Sequence, residues 1–330
     1  MVSLNYQHLR GEADRALCGA AVSPKKLIAI HSGVTIGLEL LLSVMSYVLG
    51  QGIAGTGGLS GIGMRTVLET AQTLLQLVST VLLPFWSIGY IRAVLQWTDW
   101  APADTPVLMH GFRRWGAVLR LQLLQGLLYV SLLLAGAQLT GAIFLLTPAA
   151  QSLYALAEEM AAAGITDPYA MMENEAYVAV TLKMVPYVLV VGLLLVAPIA
   201  YRLRFAEFIL MDVPQAGALR AMLDSWRMTK GNCWSLLKLD LRFWWFYLAQ
   251  GLIAVLGYGD VLLPMLGVQL QIHADAATFG FYIAALLCEF ALFVWQKNRV
   301  FTVYGLAYRQ LVAPQESQPT PPPKHVPWNP

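Results

Sequence analysis

Residues 121–146 have the sequence LQLLQGLLYVSLLLAGAQLTGAIFLL, an apolar run without one charged side chain. The run belongs to a longer interval between Arg120 and Lys183 that contains no lysine or arginine. A second interval of this kind extends from Arg242 to Lys297. A helix needs about 20 apolar residues to cross the roughly 30 Å hydrocarbon core of a bilayer. The two intervals therefore indicate membrane-spanning helices.

The composition of the whole chain also favours a membrane protein. Of the 330 residues, 58% are hydrophobic and 12% are charged, whereas an ordinary soluble domain has about 25% charged residues. The three cysteines, Cys18, Cys233 and Cys288, are far apart and form neither a disulfide framework nor a metal-ligand spacing. The basic residues flank apolar runs and form no continuous patch, so no nucleic-acid partner is expected. The sequence predicts no metal site, no cofactor and no catalytic residue.

Six apolar stretches are long enough to span the bilayer. With their connections they form a predicted transmembrane domain over residues 27–312. They predict an all-α, polytopic membrane helical bundle of three helical hairpins with interfacial amphipathic helices. The third stretch is overlong, so we expect it to tilt or to continue along the interface. We place the spans near residues 27–50, 66–92, 116–148, 178–201, 242–264 and 279–299.

Three segments outside the spans differ in character. Residues 1–26 are charged, and we expect a cytosolic or interfacial segment there. Residues 313–330 are rich in proline and predict a disordered cytosolic tail. The connection 149–177 carries acidic residues and no cation, with a predicted helix over 151–163 that ends at Gly164.

The cations indicate the orientation of the chain in the membrane. Nineteen of the 21 lysines and arginines fall in the terminal segments 1–26 and 297–330 and in the connecting segments 92–120 and 202–242. By the positive-inside rule, both termini and these segments face the cytosol. Tryptophans tend to anchor at such a boundary. The residues expected to do so are Trp97, Trp100, Trp115, Trp226, Trp234, Trp245 and Trp295.

Polar side chains recur at helical spacing inside the first two spans. Thr35 and Glu39 belong to such a stripe in the first span. Glu69, Thr73 and Gln76 belong to another in the second span. Because lipid cannot satisfy polar groups, both stripes should face other helices or water. They are the basis for predicting an intramembrane polar site.

Glu39 and Glu289 are the most informative members of this predicted site, since both lie near the middle of their spans. An ionised carboxylate at that depth costs about 2.5–3.5 kcal/mol on insertion scales. Each must therefore be protonated, paired or hydrated. Either a protonated carboxyl bonded to a neighbouring helix or a proton- or cation-handling site satisfies this condition. Lys183 lies at a depth similar to that of Glu69, and it either pairs with Glu69 or extends to the interface.

Residues 217–230 form the clearest amphipathic segment. Its apolar face is predicted to consist of Leu219, Met222, Leu223 and Trp226. A basic amphipathic helix beside a span should lie in the interface, where it either anchors the chain or binds a partner. The candidate residues for this interfacial or partner-binding helix are Arg220, Trp226, Arg227 and Lys230.

The segment from Tyr201 to Trp245, together with residues 308–311, contains motifs that resemble a known family. They are Leu210-Met-Asp-Val-Pro214, then Ser225 followed by Met228-Thr-Lys-Gly231, and Tyr308-Arg-Gln-Leu311 near the end of the last span. These features resemble the bacterial integral membrane family catalogued as domain of unknown function 975. The resemblance implies a helical membrane bundle over residues 1–312, in a Gram-positive-type bacterium. It implies no known activity and no functional residues.

Two classes of function remain from the sequence alone. The favoured one is a non-enzymatic scaffold or assisting factor of the bacterial cytoplasmic membrane, with membrane or cytosolic protein partners. The alternative is a small transporter or channel that uses the intramembrane carboxylates and the polar stripes. A lipid-active enzyme is disfavoured because no pairing of a nucleophile with a base is visible. The sequence leaves the oligomeric state open.

Overall fold

The computed structural model describes residues 5–20, 22–55, 62–164, 175–259 and 274–316. No strand occurs in this part of the chain, so the predicted all-α fold is confirmed. A 3₁₀ helix covers Thr105–Met109, and a π-helical segment covers Phe293–Lys297. The α-helices are α1 (Tyr6–Cys18), α2 (Pro24–Gly55), α3 (Ile62–Thr98), α4 (His110–Arg113), α5 (Trp115–Leu145), α6 (Pro148–Ala162), α7 (Glu175–Leu182), α8 (Val185–Leu203), α9 (Ala206–Asp212), α10 (Ala218–Thr229), α11 (Cys233–Arg242), α12 (Trp244–Gly257), α13 (Ala274–Leu292) and α14 (Asn298–Glu316).

Five helical stretches are long and apolar enough to cross a bilayer, and the protein is a membrane protein. A sixth span results if α11 and α12, which are bent by 66° at their junction, are counted together. The number agrees with the predicted bundle of about six spans. The five stretches are Pro24–Leu49, Thr66–Thr98, Trp115–Leu145, Ala179–Asp212 and Phe279–Val312.

The chain divides into two compact units, one formed by residues 1–120 with 205–330 and the other by residues 121–204. In the first unit, α2 packs along α3 and α12 packs against α13, as two of the predicted hairpins require. Helices α1, α9 and α14 pack together with the end of α3. We call the buried interior of this region the basal core. Its largest fully buried side chains include Ile28, Ile88, Leu95, Trp97, Leu108, Phe205 and Tyr308.

Two glycines allow α3 to approach the following 3₁₀ helix and α4 at backbone distance. A Cβ atom on Gly89 would lie 1.9 Å from the carbonyl oxygen of Leu108. A Cβ atom on Gly111 would lie 2.0 Å from the carbonyl oxygen of Phe85. Any larger residue would overlap with main-chain atoms, so this crossing depends on the absence of a side chain.

Charged side chains bind the elements of the basal core to one another. Arg309 of α14 pairs with Asp212 at the end of α9 and with Asp99 just beyond α3. The hydroxyl of Tyr308 donates to Asp212 over 2.9 Å. Arg114 donates to backbone carbonyl oxygens at and after the end of α9, including that of Pro214 at 2.6 Å. These bonds satisfy carbonyl groups that the end of a helix leaves without partners.

The outer halves of α2 and α3, residues 34–49 and 64–82, differ from the basal core. They expose many large apolar side chains, as helices that face lipid must. The exposed residues include Leu41, Val44, Val48, Val67, Leu74 and Leu77. Thr70, Thr73 and Thr80 donate their hydroxyls to carbonyl oxygens one turn earlier in α3, so these polar groups are satisfied within the helix.

The second compact unit consists of α5 from Leu121 onward, α6, α7 and α8. The α5 and α8 helices approach each other where Gly136 faces the side chain of Leu195 and where the Phe144 and Tyr187 rings meet 6.0 Å apart. Helix α6 confirms the helix predicted over 151–163, and Gly164 follows it with φ +79°. The rest of the predicted acidic connection, up to residue 174, lies outside the described residues.

Several boundaries differ from the sequence prediction. The fourth and sixth predicted spans ended near residues 201 and 299, but the helical stretches continue to Asp212 and Val312. Helix α14 extends to Glu316, so residues 313–316 are helical, and the remainder of the predicted tail lies outside the described residues. In the predicted fifth span, 242–264, helix α12 begins at Trp244, and residues 260–264 lie outside the described part of the chain.

Trp97 does not anchor at an interface as predicted. Its side chain is 1% exposed and packs edge-on against Tyr90, 6.2 Å between ring centres. A tryptophan at the end of an apolar stretch lies either at headgroup depth or in the protein core, and its place in the sequence does not distinguish the two. By contrast, Trp100, Trp115, Trp234 and Trp295 are well exposed, as an interfacial position requires.

Candidate functional site

Glu39 of α2 and Glu289 of α13 lie on the wall of one cavity of about 600 Å³ in the first compact unit. We call it the carboxylate cavity. Its wall also includes Gln250 and Tyr258 at α12 and Tyr282 of α13, and the other wall residues carry no polar side chain. A largely apolar wall with a few convergent polar groups is the usual construction of a small-molecule site. The structure therefore brings the two intramembrane carboxylates of the sequence prediction together.

A second cavity, of about 310 Å³, shares Glu39 and Tyr282 with the carboxylate cavity. Ser43 and Ser46 of α2 and Gln76 of α3 also line it. The Ser43 and Tyr282 hydroxyls form a hydrogen bond of 2.7 Å. Parts of the polar stripes on α2 and α3 thus face the same space, and a side chain of α13 completes the contact.

Lys297 brings a positive charge to this region. It is the last residue of the π-helical segment, a type of turn that often occurs at functional sites. Its ammonium lies 4.2 Å from the centre of the Phe293 ring and 5.6 Å from that of Tyr90, within the range of cation–π attraction. The π-helical segment packs against α2 and α13, the helices that carry Glu39 and Glu289. No ion pair joins it to either carboxylate in the described part of the chain.

A buried polar cluster lies next to Lys297 along the start of α2. His31 is 1% exposed, and its ring lies against those of Trp86 and Tyr90, with centres 5.8 Å and 4.7 Å away. The Trp86 indole donates to the His31 carbonyl oxygen over 2.9 Å. Neither ring nitrogen of His31 has a hydrogen-bond partner among the described residues. The imidazole therefore lies in an aromatic environment with its proton-binding atoms unused.

Tyr90 and Asn298 connect this cluster to the start of α2 and the start of α14. The Tyr90 hydroxyl donates to the side-chain oxygen of Asn298 over 2.8 Å. The Asn298 amide in turn donates to the carbonyl oxygen of Pro24 over 2.8 Å. The bonds fix the start of α2, the end of α3 and the start of α14 relative to one another, and they position Lys297 beside them.

The other residues of the predicted polar site lie away from the cavities or satisfy themselves locally. Thr35 and Thr73 donate to the carbonyl oxygens of His31 and Glu69 in their own helices. Glu69 lines neither of the two cavities. Lys183 belongs to the second compact unit, and its pairing with Glu69 stays a prediction.

The predicted interfacial helix corresponds to α10, which has three faces. Small side chains of Ala218, Ala221 and Ser225 are buried, and the Ser225 hydroxyl accepts a bond from the Phe205 backbone N–H over 3.2 Å. The apolar residues Leu219, Leu223 and Trp226 are exposed. The periodicity of the sequence identified this apolar face correctly. The face that packs against the core, however, is the one that carries the small side chains.

The charged face of α10 is also on the surface. Arg220 and Arg227 both approach Asp224, at 3.5 Å and 3.6 Å, and both arginines are largely exposed. Lys230 caps the end of the helix, and Gly231 follows it with φ +82°, a conformation that favours glycine. The apolar face and the charged face lie side by side, as they do in helices that rest on a membrane surface.

Sequence reasoning missed three residues of the candidate site: Lys297, Tyr282 and Gln250. Lys297 was counted as a flanking cation because it follows a long apolar interval. A signal for it existed, since three aromatic residues, Phe293, Trp295 and Phe301, surround it in sequence. Tyr282 and Gln250 carry no local signal, because their role depends on the pairing of α12 with α13 and α2.

Comparison of this chain with protein-family models, with curated proteins and with solved structures finds no match. The resemblance to the family of domain of unknown function 975 therefore stays a prediction.

Proposed function

We propose that this protein is a membrane transporter that takes up a proton or a small cation in the carboxylate cavity. The supporting observation is that Glu39 and Glu289 share one cavity without an ion-paired cation among the described residues. When Glu39, Glu289 and Lys297 are all ionised, one negative charge remains uncompensated. An uncompensated carboxylate inside a bilayer is costly, by about 2.5–3.5 kcal/mol on insertion scales. A bound proton or cation removes that cost, so the site favours such a ligand.

The wall of the cavity also favours an organic cation over a bare metal ion. A volume of about 600 Å³ lies in the range of small-molecule sites, roughly 300–1,000 Å³. Tyr258 and Tyr282 offer aromatic faces beside the carboxylates, and aromatic faces attract organic ammonium groups. We therefore propose exchange between a proton and a small organic cation at Glu39 and Glu289.

The test is transport by the purified protein in proteoliposomes. Proton flux is followed with a pH-sensitive dye under an imposed potential, and ethidium serves as the organic cation. We expect wild type to move both, and Glu39→Gln and Glu289→Gln each to reduce the fluxes at least tenfold. Glu69→Gln is the matched control, because Glu69 is an acid of the same hairpin that lines neither cavity. It should retain wild-type flux.

Two results would overturn this proposal. One is a Glu39→Gln protein that elutes and unfolds as wild type does and still transports at the wild-type rate. The other is a wild-type protein that moves neither protons nor ethidium above the level of protein-free vesicles.

A second candidate function is the non-enzymatic scaffold, favoured by the exposed apolar stripe of α10. Leu219, Leu223 and Trp226 are all exposed and form a continuous apolar face beside charged residues. A scaffold requires that partner proteins co-purify with the chain and disappear when Leu219 and Leu223 are both changed to serine. If the variant keeps every partner, or if wild type has none, α10 serves as a membrane anchor only.

For the location we propose the cytoplasmic membrane of a bacterium, with both termini in the cytosol. The support is the concentration of 19 of the 21 cations in the termini and in two connecting segments. Cys18 is exposed and can report the side on which α1 lies. In a protein with Cys233 and Cys288 changed to serine, a membrane-impermeant maleimide should label Cys18 only after the cells are permeabilised. Labelling in intact cells would reverse the topology.

A further inference from the structure

A basic pocket lies where the beginning of α1 meets the end of α11. Its volume is about 280 Å³, and its wall consists of Asn5, Tyr6, Gln7, Lys238, Leu239 and Arg242. Two of these side chains are cationic and none is acidic. The pocket shares no wall residue with the carboxylate cavity, and it has opposite charge. It therefore calls for a different ligand.

The two cations of this pocket are held in place by aromatic rings. The Arg242 guanidinium lies 6.0 Å from the centre of the Tyr6 ring, and the Tyr6 ring packs edge-on against the buried Phe243 at 5.5 Å. The Lys238 ammonium lies 5.8 Å from the centre of the Trp234 ring. Aromatic contacts of this kind orient a cation without neutralising its charge. Both charges thus remain available to an anion.

The acidic side chains nearest in sequence to the pocket are engaged elsewhere. Asp240, on the same helix as Lys238, accepts a hydrogen bond from the hydroxyl of Tyr304. Glu12 approaches the His8 ring at 3.5 Å, and Asp14 pairs with Arg299 over 2.7 Å. Neither Lys238 nor Arg242 forms an ion pair within the described residues. The first turn of α1 contains no acidic residue, so its positive end adds to the potential of the pocket.

The surroundings of the pocket indicate where its ligand comes from. Helices α11 and α12 are bent by 66° at their junction at Phe243, so α11 does not continue in the direction of α12. Trp234 and Trp244, at the two ends of α11, are both more than half exposed. Exposed tryptophans beside lysine and arginine are typical of the headgroup layer. The pocket accordingly faces the layer in which lipid phosphates lie.

We infer that this pocket binds a phosphate group, supplied by the headgroup of an anionic lipid. Arginine and lysine together suit a phosphate, because the planar guanidinium can donate two bonds and the ammonium adds a point charge. The Gln7 amide is a further donor on the wall. A soluble phosphate compound offers the same chemistry, and the experiment below separates the two sources. This inference does not depend on the proposed transport function.

The experiment is native mass spectrometry of the full-length protein in detergent, titrated with phosphatidylglycerol, phosphatidylcholine or inorganic phosphate. We expect wild type to retain one phosphatidylglycerol at least tenfold more tightly than phosphatidylcholine. The double change Lys238→Gln with Arg242→Gln should remove that preference. The matched control changes Lys25 and Lys26 to glutamine, which removes two exposed cations from the first turn of α2, and it should leave the preference intact. Inorganic phosphate at millimolar concentration should not displace the lipid.

A second variant separates binding from folding. Gln7→Glu introduces a negative charge into the pocket, yet a carboxylate in the first turn of a helix stabilises the helix. We expect this protein to unfold no earlier than wild type and to bind phosphatidylglycerol at least fivefold more weakly. Unchanged lipid binding in Gln7→Glu and in the double variant overturns the inference, and so does an equal loss in the control with Lys25 and Lys26 changed. If inorganic phosphate displaces the lipid, the ligand of the pocket is a soluble phosphate compound and the assignment to a lipid is wrong.

Discussion

The basal core and the outer halves of α2 and α3 are stabilised in different ways. In the basal core, side chains such as Leu95 are fully buried, and charges such as Arg309 are paired within the protein. In the outer halves, apolar side chains such as Leu41 are exposed, and their apolar surroundings must be supplied by lipid. Along α2, Glu39 lies between the buried His31 and the exposed Leu41. The candidate site thus takes its α2 side chains, Glu39 and Ser43, from the outer half, close to the basal core.

The largest effect is expected where the basal core has backbone in direct contact. Gly89→Ala would place a methyl group 1.9 Å from the Leu108 carbonyl oxygen. Main-chain atoms cannot move aside as a side chain can, so we expect a loss of more than about 4 kcal/mol of stability. The measurement is thermal unfolding in detergent, with the yield of monodisperse protein. Gly116→Ala is the control, because nothing lies within 4 Å of its Cβ position. An equally stable Gly89→Ala protein would refute this packing.

The comparison is sharpened by two leucines in the same hairpin. Leu95 is fully buried and Leu41 is 55% exposed. Leu95→Ala creates a cavity and should cost about 2–5 kcal/mol. Leu41→Ala should cost less than about 1 kcal/mol in detergent, because the removed atoms contact solvent or lipid. Equal losses, measured by unfolding in the same detergent, would mean that the outer half of α2 is covered by protein.

The ion pairs of the basal core should matter less than its packing. Arg309→Ala leaves Asp212 without its cation, and Asp212 is only 18% exposed. We expect a loss of about 2–3 kcal/mol, because a charge-assisted bond is removed and a partly buried carboxylate loses its partner. Arg220→Ala is the matched change at an exposed pair and should cost less than about 0.5 kcal/mol. Similar unfolding temperatures for the two variants would contradict this assignment.

The smallest effect is expected at the contact between the outer half of α2 and α13. Tyr282→Phe removes the 2.7 Å hydrogen bond to Ser43, and the expected cost is about 1 kcal/mol. A double-mutant cycle with Ser43→Ala measures the bond itself, with an expected coupling of about 0.5–1.5 kcal/mol. Strict additivity of the two substitutions would show that α2 and α13 are not joined at this point.

The spans were predictable because each requires only a local property, namely enough apolar residues in a row. Helix α5, which contains nearly all of the uncharged run from Leu121 to Leu146, is the clearest example. The ends of the spans were less predictable. The fourth and sixth spans were predicted to end near residues 201 and 299, beside Arg202 and Arg299, yet the helical stretches continue beyond both. A cation ends a span only when lipid surrounds it, and sequence alone does not tell whether a protein partner is present.

The candidate site was predictable in part. Glu39 and Glu289 were identified because a carboxylate in an apolar helix is costly wherever the neighbouring helices lie. Tyr282 and Gln250 were not, since neither is unusual in its own helix. The face of α10 that packs inward was also missed, because its small residues Ala218, Ala221 and Ser225 produce a weak hydrophobic pattern. Contacts made by small residues depend on close approach, which only the folded chain reveals.

The π-helical segment Phe293–Lys297 gives the last membrane-spanning stretch one residue more than an α-helical turn would hold. Such a segment is equivalent to a single-residue insertion that the helix has absorbed without breaking. Removing the exposed Trp295 would restore ordinary α-helical geometry and leave the residues on both sides in their present rotational register. This single deletion would therefore displace the Lys297 ammonium from its three aromatic rings without changing the packing of α14.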